Sequence, residues 1–181
     1  MNDCSQPRQP VLTEPRRDWR EEAIAYFQEC VEAGLVDLDD MLTLVRDDWD
    51  EYLQRVEKDR GGDWLDDRVP QTYYWYVQDG RIVGRIRLRH RLNDRLEKKG
   101  GHIGYDVRPG EWGKGHATRM LQQMLEIARD EGLGRVLLTC DDDNLASARV
   151  IEKCGGVLQD TIPSPRSGKP HRRYWIDLSP S

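Results

Sequence analysis

The spacing of apolar positions changes near residue 70 of this 181-residue chain. Before that point, apolar residues return every three or four positions. Trp19, Ala23, Phe27 and Cys30 or Val31 predict a helix over 15–33, with Pro15 in its first turn and Gly34 closing it. Met41, Leu42, Val45, Trp49, Tyr52, Leu53 and Val56 predict a second helix over 38–58, stopped at Gly61-Gly62. A short strand is expected at 11–13 and a loop at 63–70.

Beyond residue 70 the period falls to two. Residues 72–77 are aromatic and β-branched, Asp79-Gly80 is a hairpin turn, and 81–89 alternates apolar residues with arginines. A loop holding Asn93 and Gly100-Gly101 leads to a strand at 102–107. A helix over 113–130, a strand at 135–140, a helix over 144–153 and strands at 157–162 and 172–178 complete the chain. Hairpins followed by a β-α-β-α unit predict an α/β fold, a mixed and mostly antiparallel sheet with helices on both faces. The length suits one domain over 1–181, with a helical part at 1–70 and a sheet-bearing core at 71–181.

Composition narrows the class. Six Trp and seven Tyr are too many for a disordered chain. No run reaches the roughly 18 apolar residues of a membrane span, and the N-terminus lacks the basic start and apolar stretch of a signal peptide. The four cysteines show no metal-ligand spacing, so no metal site and a cytoplasmic location with reduced thiols are expected. Residues 1–70 hold 9 Lys and Arg against 19 Asp and Glu, and residues 71–181 hold 19 against 14, which divides the net charge of −5 into −10 and +5. An acidic first part repels nucleic acid, and a basic second part suits a phosphorylated ligand. The stripe Arg81, Arg85, Arg87, Arg89 and Arg91 is expected to be an exposed strand face.

The chemistry concentrates between His102 and Thr118. A strand ends at Val107, a Gly/Pro loop follows, and a helix is expected to open near Gly113. The first N–H groups of a helix have no internal partner, and its dipole adds positive potential there. Glycines at 113 and 115 leave the backbone bare, and Lys114 adds charge, so the segment fits a phosphate or pyrophosphate. It is not a Walker loop, because His116 follows Gly115, and a dinucleotide fingerprint would need Gly where Thr118 stands. A glycine turn without a ligand is the competing reading.

The same residues resemble the GNAT superfamily of acyl-CoA-dependent N-acyltransferases. Val107-Arg-Pro109 matches its strand end, and Trp112-Gly-Lys-Gly115-His-Ala117 matches its pyrophosphate loop, with Trp112 where Gln or Arg is usual. Asn144-Leu-Ala-Ser147 matches a second motif, and Ile151-Glu-Lys153-Cys-Gly155 its ending, with Ile151 in place of Tyr. The resemblance covers roughly residues 81–178. It implies acetyl-CoA as co-substrate, lying in a splay between the strands at 102–107 and 135–140. The Val107 backbone and Asn144 and Ser147 would meet the pantetheine arm, and the segment Trp112, Gly113, Lys114, Gly115, His116, Ala117 and Thr118 the pyrophosphate. It further implies direct attack by a primary amine on the thioester, with residues 1–70 as a lid over the acceptor. That lid's acidic surplus points to a small or peptidic cationic acceptor.

An ammonium with a pKa of about 10.4 must lose a proton before it can attack. His102 is the candidate base, since an unperturbed imidazole titrates near 6.5 and strand period places it on one face with Asp106. With Ile151 at the family's tyrosine, the acid for the leaving thiolate is unassigned; Tyr105 and Tyr174 are the options. His90 is expected in packing or a loop, and Cys140 and Cys154 as small core residues. The departures at Trp112 and Ile151 keep open a catalytically inactive CoA-binding sensor, and the oligomeric state, a homodimer included, stays open.

Overall fold

The computed structural model describes residues 9–35, 38–62, 68–164 and 168–179. Most of the loop expected at 63–70, and Cys4, lie outside the described residues. The elements are β1 (Val11–Thr13), a 3-10 turn (Arg17–Trp19), α1 (Arg20–Glu32), α2 (Asp39–Asp47) and α3 (Trp49–Gly61). Then come β2 (Gln71–Gln78), β3 (Arg81–Arg89), α4 (Asp94–Lys98), β4 (Ile103–Val107) and a second 3-10 turn (Pro109–Glu111). The chain ends with α5 (His116–Asp130), β5 (Arg135–Asp141), α6 (Leu145–Lys153), β6 (Val157–Pro163) and β7 (Pro170–Asp177).

Three local features differ from the sequence expectation, each for a chemical reason. The single helix expected over 38–58 is two. Asp48 leaves helical geometry at φ −143° and its carboxylate accepts from Glu51 N–H, so it caps a new helix inside an unbroken apolar stripe. The loop after β3 holds a five-residue helix, because the Asn93 side chain accepts from Leu96 N–H at 3.0 Å. The helix expected from Gly113 opens at His116, since Gly113 and Gly115 are left-handed at φ 76° and 77°. The hairpin turn is as expected, with Asp79 and Gly80 both at positive φ.

Strands β1-β2-β3-β4 form one antiparallel sheet and β5-β7-β6 another. Helices α5 and α6 pack on one face, where Met120, Leu121 and Met124 meet Ile86, Leu138 and Tyr174. On the other face Tyr26 and Phe27 of α1 and Trp49 and Tyr52 of α3 cover Trp75 and Ile82. Trp49, Tyr52 and Trp75 stack with centroids 5.0–6.4 Å apart. Among the described residues no helix is long and apolar enough to cross a membrane.

The arginine stripe is not an exposed face. Its ends Arg81 and Arg91 are exposed, but Arg87 is half-buried and Arg85 and Arg89 are buried, Arg85 beneath Phe27 of α1. Arg85 donates to Asp106 Oδ2 at 2.9 and 3.1 Å, Tyr26 donates its hydroxyl to the same carboxylate, and Arg89 donates to the Gly100 and Gly101 carbonyls. Burial tolerates these charges because each finds a partner. Arg108 does the same between layers, donating to Glu22, Glu29 and the Ile82 carbonyl and tying α1 to the end of β4.

The two sheets meet at Gly101-His102. His102 N–H donates to the Leu137 carbonyl at 2.7 Å, and Leu137 N–H donates back to His102 Nδ1 at 2.9 Å. Gly101, at φ 60°, lies so close that a Cβ would stand 2.2 Å from the Leu137 oxygen. Gly101→Ala is therefore expected to destabilise the protein by about 2–4 kcal/mol, combining left-handed strain with a backbone clash. A urea midpoint unchanged from wild type would contradict this.

Candidate active site

Strand pairing sets which peptide groups face the gap. Arg89 N–H donates to the His102 carbonyl and Arg108 N–H to the Val83 carbonyl, so the even-numbered positions of β4 bond to β3. The Tyr105 and Val107 peptides then point the other way, toward β5. Beyond the His102–Leu137 pair no ladder joins β4 to β5 among the described residues. The strands separate toward their C-terminal ends and leave a cleft.

Two cavities occupy it. One, of about 710 Å³, lies toward α5 and α6. Nine of the ten residues expected to hold the cosubstrate line it: Val107, Trp112, Gly113, Gly115, His116, Ala117, Thr118, Asn144 and Ser147. Lys114 is the exception, its ammonium drawn to Glu111 at 2.9 Å. Nothing lies within 4 Å of where a Gly113 side chain would begin, and the first-turn amides of α5 lack helical acceptors. Arg149 and Lys153 line the same cavity from α6. Sequence reading singled out neither, since helical spacing alone does not show a face that turns toward another element's N-terminus.

Trp112 differs from the family residue in a specific way. Its indole N–H donates to the Val107 carbonyl at 2.7 Å, while its ring is half exposed in the cavity wall. Asn144 caps α6, its Oδ1 accepting from Ser147 N–H at 3.0 Å. Ser147 Oγ in turn bonds the Tyr105 hydroxyl at 2.8 Å. Burial pushes the Tyr105 phenol up to about 12, so it stays protonated across the neutral range.

The second cavity, of about 520 Å³, opens on the α1–α2 side and shares Leu35, Tyr105, Asp106, Asn144 and Ser147 with the first. Among the described residues of the acidic first seventy, Gly34, Leu35 and Leu38 line it. Its ionisable wall is instead Arg85, Arg87, Lys99, Asp106, Asp141 and His171. His171 Nδ1 sits 2.8 Å from Asp141 Oδ1, and its Nε2 is buried without a partner. The two residues are neighbours across β5 and β7, thirty positions apart in sequence, so no local motif announces them.

His102 is not brought to these cavities. It stands at the closed end, its Nδ1 lone pair taken by Leu137 N–H and its ring 6.1 Å from that of Trp175. Burial, then Arg89 and Arg135, push its pKa down to about 4. Its place is a correction to the candidate base: with one nitrogen occupied and the other carrying the proton, it has no lone pair to offer. Tyr174 is also remote, donating to Glu152. His90 bonds Thr72 and Glu131 outside both cavities. Cys140 and Cys154 are free thiols; burial raises both, Cys140 to about 11, so neither is a thiolate nucleophile.

A sheet splayed at its centre, with a bare glycine loop and a helix N-terminus at one cavity, defines a transferase cleft for an anionic cosubstrate. The chain belongs to the GNAT acetyltransferase family: the family described as "Acetyltransferase (GNAT) domain" matches residues 19–157, reaching into the helical part beyond the motifs themselves. No curated protein sequence matches. Among solved structures, the chain is similar to RimL, a ribosomal L7/L12 alpha-N-protein acetyltransferase in complex with coenzyme A, at TM-score 0.72 and 14% identity over 93% of this chain and 94% of that one. It is similar to Mycobacterium smegmatis RimJ in complex with CoA-disulfide at TM-score 0.71 and 16% identity, over 95% and 86%. Microcin C7 self-immunity acetyltransferase MccE, in complex with acetyl-CoA and AMP, aligns at TM-score 0.65 and 16% identity over 93% and 92%.

The depressed pKa of His102 has a thermodynamic consequence. A histidine held neutral when folded stabilises the protein above its unfolded pKa of about 6.5, and that part is lost as pH falls toward 4. Wild type is expected to weaken over this window more steeply than His102→Asn, which has no such proton to take up. Urea midpoints at pH 7, 5.5 and 4.5 for both proteins check it, and parallel curves would refute it.

Proposed function

We propose that the protein transfers an acetyl group from acetyl-CoA to a primary amine, which attacks the thioester directly. The observation that carries this reading is the placing of left-handed Gly113 and Gly115 and the unpaired first turn of α5 at the mouth of the β4–β5 cleft. A pyrophosphate fits there because no side chain stands over Gly113, and Arg149 and Lys153 supply the cations that Lys114 does not, with the Arg119 guanidinium beside Gly115. The outward peptide of Val107 is placed to bond an extended amide-bearing arm. When bound, acetyl-CoA supplies the activated acetyl group.

The remaining roles fall to groups on the two cavity walls. The Tyr105 hydroxyl, protonated and held by Ser147, suits the donor of a proton to the departing thiolate, filling the role left vacant by Ile151. A carboxylate can only accept, so the Asp141 contact fixes the His171 proton on Nδ1 and leaves the Nε2 lone pair to take a proton from the acceptor ammonium. A CoA-binding sensor without turnover is the second reading, favoured by the buried Ile151.

Isothermal titration is expected to show acetyl-CoA binding, and none at about millimolar ligand would reject the cosubstrate. Thiol release across a panel of primary amines separates enzyme from sensor, since a sensor binds without turnover. Given turnover, His171→Asn should lower kcat on the order of 100-fold, whereas His102→Asn should leave kcat near the wild-type value at about pH 7. Trp112→Phe, which keeps a ring but loses the bond to Val107, should raise the KM for acetyl-CoA about 3- to 10-fold with little change in kcat.

A further inference from the structure

Of the arginines on the β3 row, one has no answering group. Arg81 meets Glu29 and Glu111, Arg85 meets Asp106, and Arg89 meets two carbonyls. Arg87 has no hydrogen bond or ion pair among the described residues, and its Nε is sealed from solvent without a partner. It lies between β3 and β4 opposite Gly104, where a Cβ would stand 3.2 Å from Nε, so the neighbouring strand is bare beneath it. Its side chain lines the acceptor-side cavity.

Counting the charges that face this cavity isolates the imbalance. Asp106 is spent on Arg85 and Tyr26. Asp141 holds His171 and stands 3.7 Å from Lys99. Tyr105 and Cys140, the other titratable groups on the wall, are neutral at pH 7. Arg87 is left without a bonded counterion among the described residues; burial and then the nearby Arg85 charge lower its pKa, against the raising influence of Tyr73, Asp106 and Asp59. A half-buried guanidinium without a bonded counterion gains when a ligand brings one.

Resting on the acetyl-transfer reading, we propose that Arg87 is an anion hook for the acceptor. The substrate class is then an amine that also carries a carboxylate, as in an amino acid or an acidic peptide N-terminus, with Lys99 adding positive potential beside it. The alternative expectation of a polycationic acceptor draws on the acidic surplus of residues 1–70, which among the described residues contributes no carboxylate to this wall.

The test compares acceptors that differ in that one group. Wild type is assayed for thiol release with amino acids, with the same amino acids as carboxamides, and with a linear polyamine. The carboxylate form is expected to have a kcat/KM higher than its amide on the order of 10- to 100-fold, and Arg87→Gln to bring that ratio near one. Equal use of acid and amide by wild type, or preference for the polyamine, would overturn the proposal. A second arm needs no turnover: titration with an N-acetyl amino acid and its amide should show tighter binding of the acid to wild type and no such preference in Arg87→Gln. If this arm succeeds while no amine is acetylated, the acetyl-transfer reading fails and the anion site stands. If amines are acetylated with neither arm discriminating, the anion site fails alone. A structural role for Arg87 would lower the melting temperature of Arg87→Gln, whereas removal of an uncompensated charge should leave it unchanged or raise it.

Discussion

The cleft exists because two parallel neighbours are joined at one point and nowhere further. At His102 and Leu137 the backbone makes one ladder bond, an imidazole nitrogen takes the Leu137 N–H, and the His102 carbonyl that a continuing ladder would use accepts from Arg89 N–H of β3 instead. The imidazole keeps Leu137 N–H from being an orphan donor, and the carbonyl turned to β3 leaves β5 no acceptor with which to continue the ladder. Gly101 allows the approach, and the right-handed twist of each sheet carries the strands apart beyond it. Every later feature of the site follows, because the Tyr105 and Val107 peptides face a gap instead of a partner strand.

That gap must be stiff as well as open. Arg108 binds two glutamates of α1 and the Ile82 carbonyl, and Arg85, Asp106 and Tyr26 make a second cross-layer link. Both links run from helix α1 to the strands bordering the cleft. The helical layer is thus fastened to the strand ends that form the cavity wall, and the outward peptides keep their direction without a ladder. Trp112 contributes from the loop, giving the Val107 carbonyl one donor while its second lone pair stays open.

Much of this was legible in sequence where the signal was local. The hairpin at Asp79-Gly80, the alternation of β3, the amphipathic stripe of α5 and the glycine loop each follow from neighbouring residues, and the structure has them close to the expected bounds. The break at Asp48 was hidden because the apolar stripe continues through it, and the cap is visible only once the chain is seen to turn. His102 was misplaced as a base because strand period gives a face but not a depth. Nothing local says which end of β4 is pinned. Arg87 and the Asp141–His171 pair were unreadable for a further reason: their meaning depends on partners across strands, present for the histidine and, among the described residues, missing for the arginine. The arginine stripe looked like a solvated face because one strand cannot show that a helix fifty residues earlier will cover part of it.

The contrast between global and local charge decides how the acceptor should be read. The surplus of −10 on residues 1–70 is spread over helices whose ion pairs are largely exposed, and such charges are screened beyond about 8 Å at physiological ionic strength. Two unit charges 4 Å apart interact by about 1 kcal/mol in water but about 4 kcal/mol at the effective dielectric near a protein wall. One unanswered guanidinium inside the cavity therefore outweighs many paired carboxylates outside it. The surface charge can steer what arrives, while the cavity wall selects what stays long enough to react.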